Sequence, residues 1–194
     1  MRTGSFSSFF RHERRPAARI HSGFTAIELM VVIALLAILA AIAMPQFRDV
    51  LNRYKVRRAV EEMRGTLYLA RTESIKRGGQ VTLQRIASAD CAPASAEWSC
   101  GWMLFADANE NATLDGTDIV LQTSSAPMGV KVEIQQGDSA PESLQADRWG
   151  QWNEGSFNFT FRPVDDVSDS LATTLCLLAG GWMYTSHGAH TCDE

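Results

Sequence analysis

The chain changes its pattern of apolar and polar positions twice. From Phe24 to Ala43 it reads FTAIELMVVIALLAILAAIA, in which only Thr25 and Glu28 are polar. Twenty helical residues rise about 30 Å, the thickness of a bilayer's hydrocarbon layer, so a membrane-spanning helix is expected over 24–45. Beyond Pro45 the apolar positions recur every third or fourth residue, through Phe47, Leu51 and Tyr54, and then again through Val56, Val60, Met63, Leu67, Ala70 and Ser74. An amphipathic continuation of the helix over 46–79 follows from that spacing. Gly78 and Gly79 stop it, with Lys76 and Arg77 in the last turn, where cations suit the helix dipole.

After Gly79 the period shortens to that of a strand. Short runs rich in β-branched and aromatic residues occupy Val81–Ile86, Trp102–Ala106, Ile119–Gln122, Val130–Gln135, Phe157–Phe161, Thr174–Leu178 and Trp182–Thr185. Val130, Val132 and Ile134 alternate with polar residues, as do Phe157, Phe159 and Phe161, which predicts sheets with one packed face. Ala179, Gly180 and Gly181 suit a hairpin turn. The expected class is α+β, a long N-terminal helix whose second half packs on a small antiparallel β head over 80–194.

Charge is as uneven as hydropathy. Residues 1–23 carry five Arg against Glu13, residues 48–85 ten basic and four acidic side chains (+6), and residues 87–194 three basic and sixteen acidic ones (−13). The three blocks therefore meet different surroundings. Positive charge before the apolar run places residues 1–23 in the cytoplasm and sends the rest across the membrane. The basic residues at 48–58 oppose that orientation, and the four cysteines favour it. Cys91, Cys100, Cys176 and Cys192 allow three pairings, of which the short loops favour Cys91 with Cys100 and Cys176 with Cys192, in an oxidising compartment such as a periplasm.

A secretory signal peptide places its apolar core before the cleavage site; here Ser22 and Gly23 come first and the apolar run second. The stretch GFTAIELMVVIALLAILAAIAMP strongly resembles the class III signal of type IV pilins and type II secretion pseudopilins. That resemblance implies a leader over 1–23, cleavage by prepilin peptidase between Gly23 and Phe24, and N-methylation of Phe24. It also implies filament-assembly roles for Glu28 and Pro45, with Glu28 neutralising the new amine of an adjacent subunit. Ala26 departs from the leucine usual at its position. Independently of any family, a carboxylate inside an apolar helix is costly unless paired, which marks Glu28 as functional.

In the head, GWMLFADANENATLD resembles the segment typical of the GspH/FimT branch of minor pilins and pseudopilins. Physically it is a strand running into a polar turn. Asp107, Asn109, Asn111, Asp115 and Asp118, with Thr113, also match the ligand spacing of an EF-hand calcium loop, although Ala112 stands where glycine belongs, Asp118 where a longer Glu belongs, and strands flank it. A turn is the default reading, with calcium as its rival and no other cofactor expected. His187, His190 and Cys192 read as a loop closed by a disulfide rather than a metal site, and the tryptophans (98, 102, 149, 152, 182) as core and interface anchors.

No catalytic fingerprint is present, and an enzyme is not expected. The resemblance implies a structural subunit of a type IV pilus or type II secretion pseudopilus that primes assembly or sits at the tip. Other pilins, prepilin peptidase and the inner membrane would be its partners. A pilus-displayed binding module for DNA or another ligand is the alternative. Nucleic acid is disfavoured as a partner because the head is acidic and its tail, TSHGAHTCDE, has no Lys or Arg.

Overall fold

The computed structural model describes residues 23–88, 97–153, 155–165, 169–190 and 192. The expected leader, up to residue 22, and Cys91 lie outside the described residues. Two compact units divide the chain, one ending at Ile42 and the other starting at Ala43.

Helix α1 spans Ala26–Arg77, and every described residue of the first unit, 23–42, is exposed. No single helix among the described residues is long and apolar enough to cross a membrane, but Ala26–Ile42 and Phe47–Arg77 meet that requirement as a pair. The helix backbone includes Pro45, whose side chain is outside the description.

In the second unit, the helix buries Val56, Ala59, Val60, Met63, Thr66, Leu67, Ala70 and Ser74, a stripe at helical spacing. The sequence pattern also put Phe47, Leu51 and Tyr54 on the packed face. They are exposed, because the step from Tyr54 to Val56 is only two residues, which at 100° per residue turns them roughly opposite the buried face.

Among the described residues, eight strands form two antiparallel sheets that share one core with α1. The first sheet orders β3 (Ile119–Ser125), β2 (Gly101–Ala106), β1 (Val81–Arg85) and β5 (Ser143–Ala146). The second orders β4 (Val130–Gln135), β6 (Phe157–Pro163), β7 (Thr173–Leu177) and β8 (Met183–His187). Leu104, Leu83 and Leu144 make one inward row across the first sheet, and Ile134, Phe159 and Leu175 another across the second. Trp98 stands between them, its ring edge-on to Phe159 at 5.8 Å. Residues just before β2 clip the two sheets together: the Trp98 N–H donates to the Val132 carbonyl at 2.8 Å, and the Val132 N–H to Ser99 Oγ at 2.9 Å.

The helix is tied to the head by polar bonds as well as packing. Thr66 Oγ1 accepts from Trp102 Nε1 at 3.1 Å and from Gln122 Nε2 at 3.0 Å, while Arg71 Nη1 donates to the Gly181 carbonyl at 3.3 Å. Ion pairs of the helix, such as Lys76 and Arg77 with Glu73, close within it. Among the described residues none joins the basic helix to the acidic head.

Candidate functional site

The first site is the start of α1. The Glu28 N–H donates to Thr25 Oγ1 at 3.2 Å and the Leu29 N–H to the Thr25 carbonyl at 3.2 Å, so Thr25 is the N-cap and Glu28 the third helical residue. The T-x-x-E spacing of a capping box was legible in the sequence, and Thr25 is the residue that pattern reading passed over. Glu28 sits in the first turn, where the helix dipole favours negative charge. Phe24 precedes the cap, fully open to its surroundings, and Gly23 has nothing packed against it.

The second site is the polar loop between β2 and β3. Asp107, Asn109, Asn111, Asp115 and Asp118 do come together there, but they hold the loop rather than point outward. Asp107 is fully buried, and its carboxylate accepts from Thr82 Oγ1 (2.9 Å), Gln145 Nε2 (3.3 Å) and the N–H groups of Asn111 (3.1 Å) and Ala112 (2.8 Å). Asp118 accepts the N–H groups of Ala108 and Asp115. Asp115 is pulled down to about 2 by the Thr117 hydroxyl and N–H, helped by the amides of Asn109 and Asn111. Because that shift is downward, its help in closing the loop is complete above the ordinary carboxylate value and fades as pH falls towards 2. Ala112 takes φ +59, the left-handed conformation for which glycine is usual. A cation would have to compete with all these donors for the same oxygens.

Removing the buried carboxylate should be costly. Asp107→Ala orphans the Thr82 hydroxyl and the Ala112 N–H and takes one of two acceptors from the Asn111 N–H, so we expect about 3 kcal/mol of destabilisation in chemical denaturation of the detergent-solubilised chain. Asp107→Asn, which keeps an acceptor, should lose less. Equal losses would mean that charge rather than hydrogen bonding anchors the loop.

The C-terminal segment forms a strap over the outer face of the second sheet. Cys176 on β7 is bonded to Cys192, Thr174 Oγ1 donates to the Gly188 carbonyl at 2.8 Å, and the Cys192 N–H donates to Asn158 Oδ1 at 3.2 Å. That disulfide is one of the two expected pairs. Cys100 is also disulfide-bonded. With Cys192 oxidised, the His187, His190 and Cys192 cluster offers no thiolate ligand, and no three metal-ligating side chains converge among the described residues. Trp98, Trp102 and Trp152 are core residues as anticipated, whereas Trp149 and Trp182 are exposed at loop tips.

Residues 59–181 match the family described as type II transport protein GspH, and residues 19–44 match the prokaryotic N-terminal methylation motif. The chain belongs to the GspH family. It is 36% identical over 99 residues to a fimbrial protein of Pseudomonas aeruginosa, covering 51% of this chain and 56% of that one, so it spans about half the length of that curated relative. Type IV major fimbrial protein FimA of Dichelobacter nodosus is 49% identical over 43 residues, 22% of this chain and 28% of FimA. The fold is that of the type IV minor pilin FimU of Pseudomonas aeruginosa, with a TM-score of 0.54 over 69% of this chain and 90% of FimU at 15% identity. This is the pilin-like α+β class expected from sequence. Methylation motif and apolar helix together mark a membrane-anchored pilin-type subunit. The family description names a transport protein and the structural neighbour is a minor pilin; neither description names an enzyme.

Proposed function

We propose that this GspH-family chain is a minor pilin or pseudopilin cut between Gly23 and Phe24, N-methylated at Phe24, and held in the inner membrane by residues 24–45 with its head in the periplasm. It is then drawn into a type IV pilus or type II secretion pseudopilus, whose assembly it supports. One observation carries the reading: the apolar side chains described from Ala26 to Ile42 are all exposed. Water would make that arrangement untenable, so lipid must cover the helix first and sister helices afterwards.

The geometry of the helix start suits both steps. Cleavage creates an ammonium beside the positive end of the helix dipole, an unfavourable place for it. Glu28 is the carboxylate nearest by sequence, and pairing it with the amine of a neighbouring subunit removes two costly charges together. Mass spectrometry of the chain from sheared filaments and from membranes tests this. The expected N-terminus is methylated Phe24 in both fractions; Met1 still attached in cells with active prepilin peptidase overturns the proposal.

A further inference from the structure

The buried face of α1 starts only at Val56. Below it Phe47, Val50, Leu51 and Tyr54 line up at spacings of three and four and stay open, Phe47 at 69% and Tyr54 at 63% exposure. At 100° per residue, Arg48 and Lys55 lie on one flank of this stripe and Arg53 and Arg57 on the other, with Arg58 in line with the stripe, one turn above Tyr54. Against these five cations stands Asp49, which leaves +4 over 47–58. None of the five forms an ion pair among the described residues.

The head brings two turns to this same end. A methyl group at Gly129 would come within 3.2 Å of Lys55 Nζ, and the Val164 N–H donates to the Gly129 carbonyl at 3.1 Å. Asp165 shares a shallow groove with Arg48, Leu51 and Lys55. Each turn presents an uncovered apolar side chain, Met128 at 85% and Val164 at 61% exposure. The opposite end of the head is fixed by Arg71 and Gly181, sixteen helical residues or about 24 Å further on. Apolar tips and unpaired cations are thus gathered at the end that leads into the apolar run. Phe47 follows Ala43, the first residue of this unit, by four residues, so the stripe is the part of the unit that comes soonest after the apolar run.

We infer that the rim docks on an anionic phospholipid surface while the subunit waits in the membrane. Met128, Val164 and the Phe47–Tyr54 stripe enter the interfacial layer, and the flanking arginines and Lys55 reach lipid phosphates. An amphipathic segment with cations on both flanks of its apolar stripe is built for such a layer. The acidic remainder of the head would be repelled by the same surface, so docking fixes which end faces the membrane. The inference rests on the membrane-anchored reading above and adds the surface that the head itself recognises.

The test uses the full chain carrying a single environment-sensitive fluorophore at Met128→Cys, Val164→Cys or, at the far end, Trp182→Cys. Each is reconstituted into vesicles of phosphatidylcholine alone and of phosphatidylcholine mixed with phosphatidylglycerol. Labels at 128 and 164 should shift to the blue in the anionic vesicles and be quenched by spin-labelled lipid, and added salt should reverse both effects. The label at 182 should not respond. Each of Arg48→Gln, Arg53→Gln and Arg57→Gln should lower the docked-to-undocked ratio about fivefold. Identical emission at 128 and 164 in both vesicle types overturns the inference, as does a shift that appears only when another pilin is reconstituted alongside. Failure of the chain to stay with vesicles after an alkaline wash removes the membrane-anchored reading itself, a result distinct from the other two.

Discussion

Glu28→Val should leave cleavage and membrane insertion intact and remove the chain from sheared filaments. Breaking a buried ion pair by deleting one partner costs about 3–5 kcal/mol, more than a hundredfold in an assembly equilibrium. The position offers a second explanation, because Glu28 is also the third residue of a capped helix whose dipole it complements. Size separates the two. A first-turn carboxylate contributes about 0.3–1 kcal/mol through the dipole, and loss of the Thr25 cap costs about 1 kcal/mol, neither enough to empty a filament. Glu28→Gln makes the distinction directly. Glutamine serves in a capping box as glutamate does but carries no charge for a neighbour's ammonium. Filament content measured by immunoblot should fall as far for Glu28→Gln as for Glu28→Val, while Thr25→Ala should stay near the parent. If Glu28→Gln assembles normally, the residue acts on its own helix and not between subunits.

What the sequence made legible follows from how local each signal is. The VKVEIQ run alternates so regularly that β4 has the bounds read from it, Val130–Gln135. By contrast β5, Ser143–Ala146, is four residues with one large apolar side chain, and its identity as a strand depends on pairing Leu144 with Leu83 far away in the chain. No window of local sequence holds that information. Helical period says which residues share a face, and a break in it changes the face. Val60, Met63 and Leu67 keep one phase and are core, whereas the step of two from Tyr54 to Val56 turns Phe47 and Tyr54 to the opposite side. The Asp107–Asp118 loop shows the same limit for chemistry. Its spacing identified side chains that converge, but their use as acceptors for Thr82, Gln145 and the loop's own N–H groups depends on strands β1 and β5 standing beside it. At the helix start the signal is local, since Thr25 and Glu28 stand in the T-x-x-E spacing of one turn.

The largest effect on the head should come from a single methyl group at Gly101. There the backbone leaves the segment clipped to β4 of one sheet and enters β2 of the other, with φ +97, a conformation L side chains rarely adopt. A Cβ at this point would lie 2.2 Å from the Ser124 carbonyl oxygen and 2.9 Å from the Ser125 carbonyl carbon, both main-chain atoms of the paired strand β3. Neither can swing aside as a flexible side chain would. Relief requires moving β3 or the turn, and both neighbours of that turn are anchored. Trp98 is wholly buried with Nε1 donating to the Pro141 carbonyl, and Trp102 is wholly buried with Nε1 on Thr66 of α1. Any shift therefore disturbs both indoles and the join between the two sheets. Gly101→Ala should destabilise the head by about 4 kcal/mol or more, at the upper end of single-substitution effects. Gly116→Ala, which meets nothing within 4 Å, should stay within about 0.5 kcal/mol of the parent. Urea denaturation of the detergent-solubilised chain, followed by tryptophan fluorescence, measures both. Equal midpoints for the two variants would mean that the chain does not cross between the sheets at Gly101 with the backbone described.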